Sequence, residues 1–461
     1  MGETKKPARV KKEKPQKVFQ APKGMHDIFG KDTELFDGLR QTAASCAAAY
    51  GYQYIELPVI EDRDLFVRSV GVGTDIVDKE MYTLKTQGGD MLALRPEFTA
   101  GIARAYMQNG MQNLPQPVKI WAWGPAFRHD NPQAGRYRQF WQADFEFFGA
   151  DHPVADAEAI QLAVKLAESY GIKDICVYVN SIGCTECRGN YRKALKTYYR
   201  SKSRKLCPDC KRRLSTNVLR LLDCKNESCM LIKKEAPETT EYLCKNCSDH
   251  FKKVLTFLDE AKIGYFLDPY LVRGLDYYNR TVFELKSAYV PAQPAPAAGE
   301  VPALPAEQKE PLSFGGGGRY DYLMKMLGGP DTPAVGFALG VDRMVELTRD
   351  EKLKNTKSEP NLYLVQIGDA ARMESLRLIE ELRSQNVRVF FDLSRDSLKA
   401  QLRSADREQS AYALIIGQKE VLDQEVILRD MQTGIQESIP YAKLIETVKA
   451  RMKQKTKTNG R

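Results

Sequence analysis

From residue 19 to about residue 170, short apolar runs alternate with turn signals. Gly51-Tyr-Gln-Tyr-Ile-Glu-Leu-Pro58 reads as a helix stop that leads into a strand. Val118 to Trp123 and Phe140 to Phe148 read as two strands. The loop between them carries Asn131-Pro132 and Gly135, so the pair predicts a long antiparallel hairpin. A helix follows from about Asp156 to Tyr170, with Ile160, Val164 and Ala167 on one face and Gly171 as its stop. From Leu362 the pattern changes. Leu362 to Ile367, Val387 to Phe391 and Ala413 to Ile416 are apolar strands separated by helical stretches, the first of which places Met373, Leu376, Ile379 and Leu382 on one face. That is a βαβαβ unit, which predicts a parallel or mixed sheet covered by helices. Val426 to Arg429 and the Thr433-Gly434 turn add a terminal hairpin.

With 461 residues the chain exceeds one compact core and should divide into about two to four domains. Hydrophobic residues make up 43% and charged residues 28%, the balance of a soluble globular protein. No apolar run is long enough to span a bilayer. Met1 to Val18 is rich in lysine but lacks the apolar stretch of a signal peptide, so the expected location is cytoplasmic.

The net charge of +9 is unevenly placed. Residues 1–18 carry +5 and residues 449–461 carry +6, so the two ends are expected to be disordered basic tails, and everything between them sums to −2. Residues 188–220 hold twelve Lys or Arg against the single acid Asp209, an imbalance that a phosphate backbone would explain. Residues 289–311 form an Ala/Pro tract too poor in large apolar side chains to pack, which predicts an exposed loop.

Eight of the ten cysteines fall in four close pairs, Cys184/Cys187, Cys207/Cys210, Cys224/Cys229 and Cys244/Cys247. Pairs with such gaps let two thiolates reach one tetrahedral zinc, and two pairs complete a four-sulfur site. Grouped in chain order they would make Cys184/Cys187/Cys207/Cys210 and Cys224/Cys229/Cys244/Cys247. The alternative is reduced thiols packed in a small helical module. Cys46 and Cys176 lie among apolar neighbours and read as core filler. The four histidines are expected to be structural or exposed, and none is assigned a catalytic role.

Four segments concentrate arginine, carboxylates and glycine among apolar strands. They are Leu94-Arg-Pro-Glu-Phe-Thr99, then Phe127-Arg-His-Asp-Asn-Pro132 with Arg136-Tyr-Arg-Gln-Phe140 and Gln142-Ala-Asp-Phe-Glu146, then Leu271-Val-Arg-Gly-Leu-Asp-Tyr-Tyr278, and last Gly315-Gly-Gly-Gly-Arg-Tyr-Asp321 with Val335-Gly-Phe-Ala-Leu-Gly-Val-Asp-Arg343. Planar, always-charged guanidinium groups suit a polyphosphate, and carboxylates beside tyrosines suit a small cationic ligand. Gln142 and Glu146 share one strand face. The glycine run is expected to be a close-approach turn beside the ligand.

These segments resemble class II aminoacyl-tRNA synthetases, and the third and fourth look like the two signatures peculiar to histidyl-tRNA synthetases. The resemblance covers about residues 19–450. It implies an α/β chain of several parts. These are a catalytic α+β domain on an antiparallel sheet (19–180 and 251–347), an inserted cysteine-rich, mainly helical module (181–250), and a C-terminal α/β anticodon-binding domain (360–448). It also implies residue roles. Glu97, Thr99 and Gln142 would hold the histidine ammonium group, and Phe98 would belong to the same pocket. Glu146 and Tyr278 would read the imidazole, with Tyr277 beside them. Arg128 would bind the α-phosphate, Phe140 would stack on adenine, Arg136 would reach the outer phosphates, and Arg343 would pack on the other adenine face and contact the γ-phosphate. Arg273 would bridge the histidine carboxylate and the α-phosphate, with Arg128 as the second catalytic arginine. The implied substrates are L-histidine, ATP with Mg2+ on its outer phosphates, and tRNA(His). A homodimer pairing through about Thr33 to Pro58 is implied too. A catalytically dead relative, the regulatory subunit of ATP phosphoribosyltransferase, usually lacks the C-terminal domain and loses several ligand residues; here both are present. A zinc-ribbon RNA-binding module would explain the cysteines but not the arginine segments. Tyr277-Tyr278 argues against another amino acid as substrate.

Overall fold

The computed structural model describes residues 19–71, 73–133, 135–287, 312–355 and 361–458. The basic segment 1–18 and the Ala/Pro tract therefore lie outside the described residues. The chain divides into two compact units, Met1–Leu353 and Lys354–Arg461.

In the first unit, α1 (Lys31–Ala49) ends at Gly51 and leads into the short outer strand β1 (Gln53–Tyr54). β2 (Ile60–Asp62), β3 (Thr83–Lys85) and β4 (Met91–Leu94) make a small three-stranded sheet next to α2 (Arg63–Val70). After α3 (Thr99–Gln108) comes the predicted hairpin, β5 (Val118–Phe127) and β6 (Gln139–Phe148), paired from Val118↔Phe148 to Phe127↔Gln139. α4 (Val154–Tyr170) stops at Gly171, whose φ of 102° suits glycine. Alanines at 155, 157, 159, 163 and 167 are buried along it, so α4 lies flush between the sheet and its neighbouring helices.

β7 (Ile175–Ser181) opens the cysteine-rich insertion, which is helical: α5 (Thr185–Ser201), α6 (Pro208–Thr216), α7 (Glu227–Lys233) and the first turn of α8 (Lys245–Glu260). β8 (Tyr265–Leu267), β9 (Asn279–Ser287), β10 (Leu312–Arg319), α9 (Leu323–Met326), β11 (Ala334–Gly340) and α10 (Val341–Asn355) complete the unit. Its eight strands run in the order β1-β5-β6-β11-β10-β9-β7-β8. All pairings are antiparallel except β1 with β5 and β7 with β8, at the two edges. One face packs on α1, α4 and α8, with Leu39, Ile160, Leu166 and Val254 buried against Phe145, Phe283 and Phe337. The other face carries α3, the Tyr277-Tyr278 pair and Tyr320.

Gly315 to Gly318 lie inside β10 and not in a turn, which corrects the expectation from sequence. They pair with β11 from Gly315↔Leu339 to Gly318↔Gly336, and with β9 on the other side. Glycine weakens a strand, so its use here needs a steric reason. A Cβ on Gly317 would stand 2.0 Å from the Gly336 carbonyl oxygen, and one on Gly316 would stand 2.7 Å from an Arg273 guanidinium nitrogen. The missing side chains let Arg273 lie against the sheet.

The second unit contains β12 (Leu362–Gln366), α11 (Asp369–Ser384), β13 (Val389–Phe391), α12 (Leu398–Arg407), β14 (Tyr412–Ile416), α13 (Gln418–Asp423), β15 (Glu425–Asp430), β16 (Gln436–Pro440) and α14 (Tyr441–Thr458). Its order is β13-β12-β14-β15-β16, parallel across the first three strands and antiparallel across the last three, the mixed sheet expected. Two details differ from the sequence pattern. On α11, Ile379 and Leu382 are buried with Ala371, Ser375 and Leu378, whereas Met373 is 71% exposed and Leu376 64%. The helix turns its small residues inward. Residues 449–458 are not an unstructured tail but the end of α14, whose Leu444 and Val448 enter the core. Lys449 donates to the side-chain oxygen of Gln385 (2.7 Å), Arg451 pairs with Glu437 (2.9 Å) and Lys455 with Asp430 (3.0 Å).

Candidate active site

β6 exposes its even-numbered side chains to one side of the sheet. Phe140, Gln142 and Asp144 line a cleft of about 220 Å³, with Glu146 buried at its base, while Ala143, Phe145 and Phe147 pack into the helical layer. The alternation is cleaner than the aromatic content of the segment suggests, and it adds Asp144, which sequence reasoning passed over. Period-two counting from Gln142 to Glu146 was the available signal.

Glu97 sits just before α3. Its carboxylate accepts the backbone N–H groups of Thr99 (2.8 Å) and Ala100 (3.0 Å) and the Tyr277 hydroxyl (3.3 Å). Thr99 Oγ1 donates to Glu146 (2.6 Å), and the Tyr320 hydroxyl donates to the other oxygen of Glu146. Gln142 Oε1 and Asp144 Oδ2 are buried, and neither meets a donor among the described residues. Unpaired acceptors beside a buried carboxylate call for a cation with several N–H donors, such as an ammonium group.

Burial pushes the Glu146 carboxyl up to about 8, and repulsion from Glu97 adds to this, against the Thr99 and Tyr320 hydrogen bonds that favour the ionised form. Burial also raises Glu97 and Asp144. A carboxyl raised in the folded state stabilises the fold fully below its ordinary value of 4.5, and that contribution is lost as pH rises to about 8. Glu146→Gln is therefore expected to flatten, though not abolish, the loss of denaturation midpoint between pH 4.5 and 8. Urea unfolding across that window measures it, and an unchanged slope would refute the assignment.

The same cleft is lined by four guanidinium groups. Arg128 follows β5, donates to the Pro96 carbonyl (2.8 Å) and lies 5.2 Å from the Phe140 ring centroid. Arg136, on the hairpin loop, pairs with Asp130 at 2.5 Å. Arg343, at the start of α10, donates to the carbonyls of Gly135 (2.9 Å) and Ser313 (2.6 Å). Arg273 lies 3.6 Å from Glu284. Burial holds Arg343 below its ordinary value, and Arg136, Arg128 and Arg273 lower it further by repulsion. A polyanion would relieve that repulsion. Burial raises the Tyr278 hydroxyl, and the nearby Arg273 charge opposes that rise.

Ten of the twelve residues assigned from the resemblance thus line the cleft: Glu97, Thr99, Arg128, Arg136, Phe140, Gln142, Arg273, Tyr277, Tyr278 and Arg343. Glu146 lies behind the wall, reached through Thr99. Phe98 does not reach the cleft. It is buried under Arg95, whose guanidinium carbon sits 4.0 Å from the ring centroid. Its neighbours in the chain face the cleft, and the backbone at the start of α3 turns Phe98 away. Asp130, Ser313 and Asp342 line the cleft without having been assigned.

The basic stretch 188–220 is split in its use. Arg213 pairs with Asp75 (2.6 Å), as does the buried Arg220 (3.0 Å), so these two hold the insertion to the catalytic body. Arg192, Lys193, Arg200, Arg204, Lys205, Lys211 and Arg212 are exposed. Cys46 is half-buried at the edge of the core, and Cys176 is half-buried on β7 outside it, so neither fills the core. His26, His129 and His152 are exposed. His250 is buried and meets Asp156 at 3.4 Å, a structural contact.

A model of the family described as histidyl-tRNA synthetase matches residues 24–344. The chain belongs to the histidyl-tRNA synthetase family. Residues 361–451 match an anticodon binding domain. The histidine–tRNA ligase of Dehalococcoides mccartyi is 43% identical over 433 residues, 94% of this chain and 99% of that one. That of Thermosipho melanesiensis is 42% identical over the same shares. The crystal structure of apo S. aureus histidyl-tRNA synthetase has 30% sequence identity and a TM-score of 0.74, covering 93% of this chain and 99% of that one. Membership makes the chain an ATP-dependent aminoacyl-tRNA synthetase of class II, a ligase acting on histidine and tRNA. Among the described residues no helix is long and apolar enough to cross a membrane.

Proposed function

We propose that the cleft converts L-histidine and MgATP to histidyl-adenylate and pyrophosphate, and that the same chain then passes histidine to the 3′ end of tRNA(His). The observation that carries this is the division of one cleft into an acidic, tyrosine-lined floor and an arginine rim, with Arg273 between them. Glu97, Thr99 and Gln142 hold the ammonium group, supported by the unpaired Gln142 oxygen. Tyr278, and Glu146 through Thr99, read the imidazole, with Tyr277 lining the pocket. Arg128 takes the α-phosphate, Arg136 the outer phosphates, and Phe140 and Arg343 enclose the adenine. The histidine carboxylate attacks the α-phosphorus itself, so no side-chain nucleophile is needed. Arg273 and Arg128 stabilise the charge that grows as pyrophosphate leaves.

Two copies pair through Thr33 to Pro58 in this proposal, where β1 forms a sheet edge with Tyr54 exposed. Ten cysteines without a disulfide among them suit the cytoplasm as the working compartment. Exchange of pyrophosphate into ATP, tried with all twenty amino acids, tests the proposal. Histidine alone should support it, and exchange with another amino acid or with none would defeat it.

The second unit holds none of the activation residues. Removing Lys354–Arg461 is expected to leave histidine-dependent exchange measurable and to abolish efficient aminoacylation, because the grip on the anticodon stem is lost. Equal charging of tRNA by the truncated and full-length chains would refute that division of labour.

A further inference from the structure

The cysteine pairs do not group in chain order. The first pair meets the fourth and the second meets the third, forming Cys184/Cys187/Cys244/Cys247 and Cys207/Cys210/Cys224/Cys229. Within each group all four sulfurs lie within 4.8 Å of one another. We propose that each group is a tetrathiolate zinc site, and that the two sites together brace the loop carrying Arg273 and Tyr278.

The spacing is that of a metal site. Cys184 and Cys187 Sγ stand 3.6 Å apart, and Cys207 and Cys224 Sγ 3.8 Å. Four sulfurs on a tetrahedron about 2.3 Å from zinc are roughly 3.8 Å apart. A disulfide would bring two of them to about 2.05 Å. Backbone N–H groups point at the sulfurs: Cys244 N at Cys187 Sγ (3.0 Å), Cys207 N at Cys229 Sγ (3.4 Å) and Cys210 N at Cys207 Sγ (3.4 Å). Such donors disperse the charge of the thiolates that a metal requires. Each site pairs two buried cysteines with two half-buried ones, Cys184 and Cys244 in one and Cys207 and Cys224 in the other. Zinc with four thiolates carries a charge of −2, and basic residues adjoin the ligands in the chain, Arg188 after Cys187 and Lys211 after Cys210.

The first site ties the start of α5 to the start of α8, where the insertion leaves and rejoins the catalytic body. One residue after Cys187, Arg188 donates to the carbonyls of Tyr278 (2.7 Å) and Asp276 (3.3 Å). The second site fixes the ends of the stretch from α6 to α7. Within that stretch Asn217 donates to the Asp276 carboxylate (3.0 and 3.1 Å), and Arg213 and Arg220 hold Asp75. Asp276 is three residues from Arg273, so both sites bear on one loop.

Elemental analysis of the full chain, produced with zinc in the medium and purified without chelator, should find two zinc ions per chain. Cobalt(II) in place of zinc should give the sulfur-to-metal charge-transfer and tetrahedral d–d bands of a thiolate site. The double variants Cys207→Ser/Cys210→Ser and Cys244→Ser/Cys247→Ser should each keep one zinc. If either fails to fold, the metal content of the unaltered chain still decides. A chain that contains little zinc while eight thiols react freely with a thiol reagent would overturn the proposal, as would iron in place of zinc. Changing Cys184, Cys187, Cys244 and Cys247 together to serine should still leave one zinc, whereas grouping in chain order would leave none, so loss of both ions from that folded variant would overturn the pairing.

Discussion

Arg273→Lys is expected to fold normally and to lose about a hundredfold in histidyl-adenylate formation. Lysine keeps the charge but not the planar fork that can span a carboxylate and a phosphate. Arg273 is placed for that task by the strand beneath it, where a Cβ at Gly316 would intrude to 2.7 Å, and by Glu284 at 3.6 Å. Losing one contact made in the transition state costs on the order of 3 kcal/mol, which is about a hundredfold in rate. The defect should fall on the rate of pyrophosphate exchange more than on the KM for histidine, whose ammonium and imidazole partners lie elsewhere in the cleft. Near-normal exchange by the variant would remove Arg273 from the chemistry.

The largest expected loss of stability is at Arg319→Met, about 3–5 kcal/mol. Arg319 is 0% exposed. Its guanidinium bonds both oxygens of the equally buried Asp156, the Asp321 carboxylate (3.0 Å) and the Ala150 carbonyl (2.9 Å). Removing it leaves the Asp156 charge in the core with only His250 beside it. Burial alone would raise the Asp156 carboxyl, but the Arg319 charge and the His250 contact hold it well below its ordinary 3.8. The sign follows: the pair stabilises the fold at pH values above 3.8, and that contribution is lost as pH falls below it. Denaturant unfolding at neutral pH measures the loss, and Asp156→Asn combined with Arg319→Met should recover part of it. A variant within 1 kcal/mol of the unaltered chain would show that the pair is dispensable.

Periodic elements were legible in the sequence. The hairpin of β5 and β6, the helix stopping at Gly171 and the mixed C-terminal sheet follow from apolar spacing and glycine placement, because those features are local. The misses share one cause: the deciding partner is distant in the chain. The glycine run reads as a turn until Arg273 and Gly336 are seen pressed against it. Phe98 sits between two cleft residues, yet its direction is set by the path of the backbone into α3. Cysteine spacing could not say which pairs meet. The charge of residues 449–461 hid the spacing of Leu444, Val448 and Met452, which continues the helix. Ten of the assigned site residues could be placed because their segments resemble a known family, since period and charge alone name residue types and not ligands.

The two ends of the insertion are neighbours. Leu243 lies against Gly183, and the Cys244 amide touches the Cys187 sulfur. α8 then runs on from the cysteines into the main core, where Phe251, Val254 and Leu258 are buried and His250 meets Asp156. The graft point is therefore inside α8's first turn and not beyond it. Residues 184–243 form a closed excursion from the catalytic body, entered from β7 and left through α8. The module leaves and returns at one point, and its return helix belongs to the host.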